Sequence, residues 1–199
     1  MTAHVIEVRD LHVRAGEDES VRGVSFALAA GEIGVLRGKG ATAVLEAAAG
    51  VRRPVAGTVR VAGTDPYERP GAVRSGAVWR EGGLFPGLTV AEVVDTWRRW
   101  TLDPIGRDDA LRLTGLTGLA DVPFERLTPV RRRLLDLALA LVGRSDVLFL
   151  EDPAHGLERG DADRVWSVLR FAAAHGVTVL VTAPAEAAGA RAVPGLRAA

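Results

Sequence analysis

Two acids, Glu151 and Asp152, follow the apolar run Val147-Leu148-Phe149-Leu150 and precede Pro153. A carboxylate pair at the end of a buried strand suits a divalent cation and a polarised water. Far upstream, the chain's one lysine sits in a glycine loop, Gly38-Lys39-Gly40-Ala41-Thr42. Glycines there let backbone amides turn onto a phosphate, and a lysine directly after the last glycine adds a point charge. A phosphate loop of this kind follows G-x-x-x-x-G-K-[ST]. Here Ala41 fills the lysine slot and Lys39 stands two positions ahead of it. Both halves of a nucleotide-phosphate site are recognisable, and both are altered.

The elements that must position these residues are legible from periodicity. Val5 to Arg9, Leu11 to Arg14 and Val21 to Leu28 alternate as strands of a half-exposed sheet. Glu32 to Leu36 is a short apolar strand leading into the glycine loop, and Thr42 to Ala49 is a helix ended by Gly50. Gly57 to Ala62 is another strand, and Ala77-Val78-Trp79 a buried one. Thr89-Val90-Ala91-Glu92 carries the pattern of a capping box. From there to about Arg126 the chain forms helical pieces broken at Pro104, Gly115 and Pro123. Pro129 to Val142 is a strongly apolar helix stopped by Gly143, with Arg131, Arg132 and Arg133 expected as a solvated start. The Val147 strand, a helix from about Gly160 to His175 and a buried strand, Val177 to Thr182, follow. Strands alternating with helices in the second half predict a parallel sheet covered on both faces, and the first sixty or so residues add an antiparallel lobe.

Bulk composition excludes several classes. Positive and negative side chains balance at 25 each, so no field draws the chain to nucleic acid. There is no cysteine, which removes disulfides and thiolate metal sites. No apolar run approaches the roughly 18 residues that a membrane span needs. No secretory leader opens the sequence. The expectation is a cytoplasmic chain of 199 residues forming one unit.

Taken in order, these elements resemble the nucleotide-binding domain of ABC transporters from Ile6 to about Ala188. Phrases outside the catalytic slots carry much of the likeness: Leu84-Phe85-Pro86-Gly87-Leu88-Thr89-Val90-Ala91-Glu92, Leu134 to Val142, and Asp146 to Pro153. The resemblance implies a RecA-like P-loop NTPase core of α/β class, an N-terminal antiparallel β lobe and a small helical subdomain at about 89–126. It also implies that family members continue beyond the strand at Val181 further than this tail does. The positions that touch nucleotide in the family are substituted. Ala15 replaces the aromatic that stacks on adenine, and the loop between Gly31 and Ala49 is shortened. Ala41 removes the lysine, whereas Thr42 keeps a hydroxyl for Mg²⁺. Arg80 stands in the place of the glutamine that meets the metal. Leu127-Thr128-Pro129-Val130-Arg131 replaces the glycine-rich signature. Glu151 takes the metal-binding aspartate's position, Asp152 that of the general base, and Pro184 that of the switch histidine.

The resemblance combined with these departures implies a degenerate ATP-binding subunit, a pseudo-ATPase acting through protein contacts. Gly38, Lys39, Gly40, Ala41 and Thr42 are then a vestigial phosphate loop, with neither ATP nor Mg²⁺ held tightly. On the bland reading, Glu151 and Asp152 cap a strand end and pair with a nearby arginine. Trp97 and Trp100 are expected in the core of the helical subdomain, and His155 and His175 at the surface or as caps. Gly83, Leu84, Phe85 and Pro86 lie where the family docks the coupling helices of a membrane permease. The implied partner is a permease, a competent ABC subunit or a second copy, with membrane contact only through it, at the inner face. Two alternatives stay open. One is a working ATPase subunit using Lys39, Thr42, Glu151 and Asp152 with Mg²⁺ and ATP. The other is a soluble adaptor derived from such a domain.

Overall fold

Alternating burial builds the first sheet. A computed structural model describes residues 4–16, 20–183 and 191–192. Its first strand, β1 (His4–Arg14), buries Ile6 and Val8 and then Leu11 and Val13. The change of parity between Val8 and Leu11 is a bulge centred on Asp10, whose φ is +43°. Two short strands in the sequence are thus one continuous bent strand. Strands β2 (Ser20–Ala29) and β4 (Ala56–Val61) flank β1, both antiparallel to it, giving the order β2-β1-β4.

The second sheet is parallel where its pairings are described and runs β5-β6-β7-β3-β8. It comprises β3 (Ile33–Leu36), β5 (Ser75–Val78), β6 (Val147–Glu151), β7 (Thr178–Thr182) and the short β8 (Arg191–Ala192). Strand β6 is apolar on both faces because both are covered. Val147 and Phe149 pack with α1 (Ala41–Ala48) and the antiparallel lobe. Leu148 and Leu150 pack with α4 (Pro129–Val142) and α5 (Arg159–Ala174). Helix α1 is buried nearly all round, through Ala43, Val44, Leu45, Ala47 and Ala48, since it is wedged between the two sheets.

Between β5 and α4 lies a helical segment, α2 (Val90–Arg99) and α3 (Arg107–Leu113) with 3₁₀ turns at Thr117–Leu119 and Phe124–Arg126. The capping box at its start is formed: Thr89 accepts from the Glu92 amide, and Glu92 accepts from the Thr89 amide at 2.8 Å. These bonds hold the Glu92 carboxyl below its usual range. The ends of the segment are tied together, with Phe124 donating to the Leu88 carbonyl and Val90 to that of Val122. Helix α4 begins on Pro129 and ends at Gly143, as its sequence predicts. No described helix is long and apolar enough to cross a membrane.

Candidate functional site

The glycine loop and the two acids converge at the carboxyl ends of the parallel strands, where open α/β sheets place their ligands. The loop leaves β3, whose neighbour β7 pairs in turn with β6. Gly38 and Gly40 have φ of +93° and +78°, so both turns need the freedom of glycine. A Cβ at Gly40 would also meet Val21 Cγ2 at 2.1 Å. Gly40 caps α1 without a side-chain bond, and the Ala41 amide donates to the Gly38 carbonyl at 3.3 Å. That amide is turned inward on its own loop, and Ala41 is buried. Lys39 is exposed. Ala15 packs against the lobe core beside the loop.

Thr42 and Glu151, 109 positions apart in sequence, meet through a hydrogen bond from Thr42 Oγ1 to Glu151 Oε1 of 3.1 Å. The second oxygen, Oε2, accepts the Arg80 backbone amide at 3.3 Å. The Arg80 guanidinium stands 3.9 Å from Oε1 and is the arginine that pairs with this acid. Asp152 points elsewhere. Its φ is +41°, its amide donates to the Thr182 hydroxyl at 3.0 Å, and its carboxylate lies 3.2 Å from His155 Nδ1. The inverted acids therefore diverge, one toward the glycine loop and one toward a surface histidine. Pro184 lies outside the described residues.

With the Arg80 guanidinium in place, these residues are a poor fit for a divalent cation. Thr42 and Glu151 supply oxygens, but the third side chain facing them is a guanidinium, which has donors only and repels a cation. Among the described residues no group of three or more acids or histidines stands ready to hold a metal.

The segment that follows β5 is fixed by a contact that the sequence does not signal. Arg133, expected at a solvated helix start, is only 10% exposed and donates to the carbonyls of Trp79 (2.9 Å) and Arg80 (2.6 Å). Asp136, one turn on, lies 3.6 Å from Arg133 and accepts the Gly83 amide at 3.1 Å. Burial pushes the Asp136 carboxyl up, partly countered by the Gly83 amide and the Arg133 charge. Arg132 also departs from the solvated reading, stacking over Phe124 at 4.9 Å, and only Arg131 is exposed. An apolar run of leucines around Asp136 gave no hint of this clamp.

Downstream, Phe85 turns inward against Phe124, edge to face at 5.5 Å, while Leu84 is 77% exposed and Pro86 is exposed. So of the four proposed contact residues, Gly83 and Phe85 anchor the loop and Leu84 and Pro86 present it. Beside it runs a groove of about 630 Å³ between β5, α4 and α2. Trp97, Trp100, Leu102, Phe85 and Leu139 are among the residues that line it. Trp100 is 79% and Leu102 92% exposed, which overturns the expectation that the tryptophans fill the helical core. Spacing of i,i+3 gave them one shared face but not the direction of that face. His155 and His175 are at the surface, and His175 caps α5 by donating to the Phe171 carbonyl at 2.8 Å.

Comparison with known proteins agrees with this architecture. Residues 21–155 match the family model described as ABC transporter. The cytochrome c biogenesis ATP-binding export protein CcmA of Rhizobium johnstonii is 34% identical over 171 residues, covering 80% of this chain and 78% of CcmA. The Nod factor export ATP-binding protein I of Ralstonia nicotianae is 31% identical over 188 residues, 89% of this chain but 59% of that protein. The chain thus spans about three-fifths of the length of that second relative. Among solved structures, cbiO1 of Clostridium perfringens, part of the ABC transporter complex cbiONQ, superposes with a TM-score of 0.78 at 19% identity, covering 91% of this chain and 78% of its own. MJ0796, a bacterial ABC transporter cassette solved as a dimer, gives 0.73 at 16% identity over 89% of this chain and 87% of its own. At those identities the superpositions speak for the fold, and the family match and CcmA speak for descent. The chain belongs to the ABC transporter family, as one of its ATP-binding domains.

Proposed function

We propose that this chain is a silenced ATP-binding subunit, one unit with a helical subdomain at about 89–126, that serves transport through protein contact and not through its own hydrolysis. The single observation behind this is the state of Glu151. Its two oxygens are engaged by Thr42 and by the amide of Arg80, with the Arg80 guanidinium beside them. Ala41, buried where the family keeps its phosphate lysine, removes charge from the same place. A hydrogen bond to a charged group contributes about 1.5–3 kcal/mol, so losing the lysine, the metal and the signature glycines together leaves little affinity for a triphosphate. The pattern supports loss of ATP turnover in Gly38 to Thr42, with Glu151, Asp152 and Arg80 as the altered catalytic positions.

The partner that suits such a subunit is a membrane permease, or a second ABC subunit that serves one. Relatives are named ATP-binding export proteins, and the groove beside Leu84 and Pro86 offers exposed apolar surface where the family meets its membrane partner. Membrane contact then comes through the partner, at the inner face of the cell membrane.

A working ATPase is the competing reading, and one observation favours it: the Thr42 hydroxyl and the Glu151 carboxylate face each other at 3.1 Å. Calorimetry with Mg-ATP separates the two. The silenced subunit gives no heat of binding at micromolar nucleotide and no phosphate release. Micromolar binding that weakens in Lys39→Ala, together with turnover, would establish the ATPase.

A further inference from the structure

We propose that Arg80 is a built-in counter-cation for Glu151, so that the Thr42–Glu151 pair holds a latent divalent-cation site which Arg80 keeps shut. The inference rests on the silenced-site reading and says which residue does the silencing.

The oxygens themselves suit a metal. Neighbouring ligands in an octahedron with bonds of 2.0–2.1 Å lie about 2.9 Å apart. Thr42 Oγ1 and Glu151 Oε1 are separated by 3.1 Å, close to that edge. What stands against a metal is the charge beside them. The Arg80 guanidinium, 3.9 Å from Oε1, is the counter-charge of the carboxylate. A divalent ion placed there would meet a like charge at short range, and the repulsion doubles with the ion's second charge.

The side chain is 45% exposed, but its backbone is held on both sides. The Arg80 amide binds Glu151 Oε2 at 3.3 Å, and the Arg80 carbonyl accepts from Arg133 at 2.6 Å. Arg133 is itself buried against Asp136. The base of the arginine is therefore clamped between β6 and α4, which roots the guanidinium beside Glu151. A glutamine at the same position would offer an oxygen in place of a cation and keep the same backbone contacts.

The test uses Mn²⁺ as probe, titrated into the full chain and followed by electron paramagnetic resonance. Wild type, Arg80→Gln, Arg80→Lys and the double variant Arg80→Gln/Glu151→Gln are compared. Arg80→Gln is expected to bind Mn²⁺ at least tenfold more tightly than wild type. Arg80→Lys, which keeps the charge, stays like wild type, and the double variant loses the gain. Equal affinity in wild type and Arg80→Gln overturns the proposal, as does a gain that survives loss of Glu151. Should Arg80→Gln fail to fold, Arg80→Ala removes the charge with less demand on packing and is read the same way. Phosphate release by wild type with Mg-ATP, assayed in the same samples, decides the silenced-site reading separately from the metal titration.

Discussion

Asp136 shows how one residue can change the meaning of a helix. Its neighbours in α4 are leucines and alanines packed between the parallel sheet and α2. Burial raises its carboxyl above the ordinary range, because the charged form loses water that the Gly83 amide and Arg133 only partly replace. For an acid whose folded value is raised, ionisation costs the folded state more than the unfolded one. That cost is fully present above the folded value. It is relieved as pH falls through the folded value toward the ordinary carboxylate range, and below that range nothing further changes. Asp136→Asn keeps a carbonyl for the Gly83 amide and cannot titrate. The difference in unfolding free energy between wild type and Asp136→Asn is therefore expected to move in favour of wild type as pH falls through this window. Urea unfolding at a series of pH values measures it, and a flat difference would remove the buried-charge account of Asp136. The other carboxylates cancel in the comparison.

Among the elements, β5 and α4 are joined more closely than side chains allow. A Cβ at Gly76 would lie 2.3 Å from the Ala140 carbonyl oxygen, a backbone atom that cannot rotate away. Gly76→Ala must push β5 off α4, and overpacking of this kind costs about 1–3 kcal/mol. The expected outcome is that loss in chemical denaturation, accompanied by faster amide exchange from Ser75 to Gly83. A neutral Gly76→Ala would mean that the two elements are free to part. Much at this scale was legible in the sequence. The capping box at Thr89, the stop at Gly143 and the two-faced strand β6 follow from local pattern, since propensity, capping and burial agree there. The bent β1 was not, because a bulge at Asp10 resets alternation and imitates a strand end. Nor was the Arg133–Asp136 clamp, because its carbonyl partners lie more than fifty residues away and carbonyls carry no sequence signature. The glycine loop and Glu151 were found by motif. That Arg80 would face Glu151 follows only from the parallel pairing of β5 with β6.

Across the described residues, the two apolar clusters close around β6 and leave an apolar face uncovered at the end of α2. Trp97, Trp100 and Leu102 are solvent-facing, with tryptophan rings 6.4 Å apart, and line a groove with Gly83 and Phe85 of the loop that Arg133 and Asp136 hold in place. A patch of this kind on a protein of balanced charge is the mark of an interaction site, and tryptophan is the residue type most often dominant in one. Trp100 separates binding from folding cleanly. It is 79% exposed, so Trp100→Asp should change unfolding free energy by no more than about 0.5 kcal/mol. If the groove seats an apolar helix of a membrane partner, burying that indole contributes at least about 2 kcal/mol, and its loss weakens association by roughly 30-fold. The measurement is the fraction of chain recovered with washed membranes from its own cells, for wild type, Trp100→Asp and Trp100→Phe. The aspartate variant is expected in the soluble fraction with an unchanged melting temperature, and phenylalanine restores much of the membrane-bound share. Equal recovery of all three on membranes would place the contact elsewhere, and equal recovery in the soluble fraction would favour an adaptor that has left transport. Arg133 holds the Arg80 carbonyl and Asp136 the Gly83 amide, so the segment leading from the Arg80–Glu151 contact to this surface is tied to successive turns of α4.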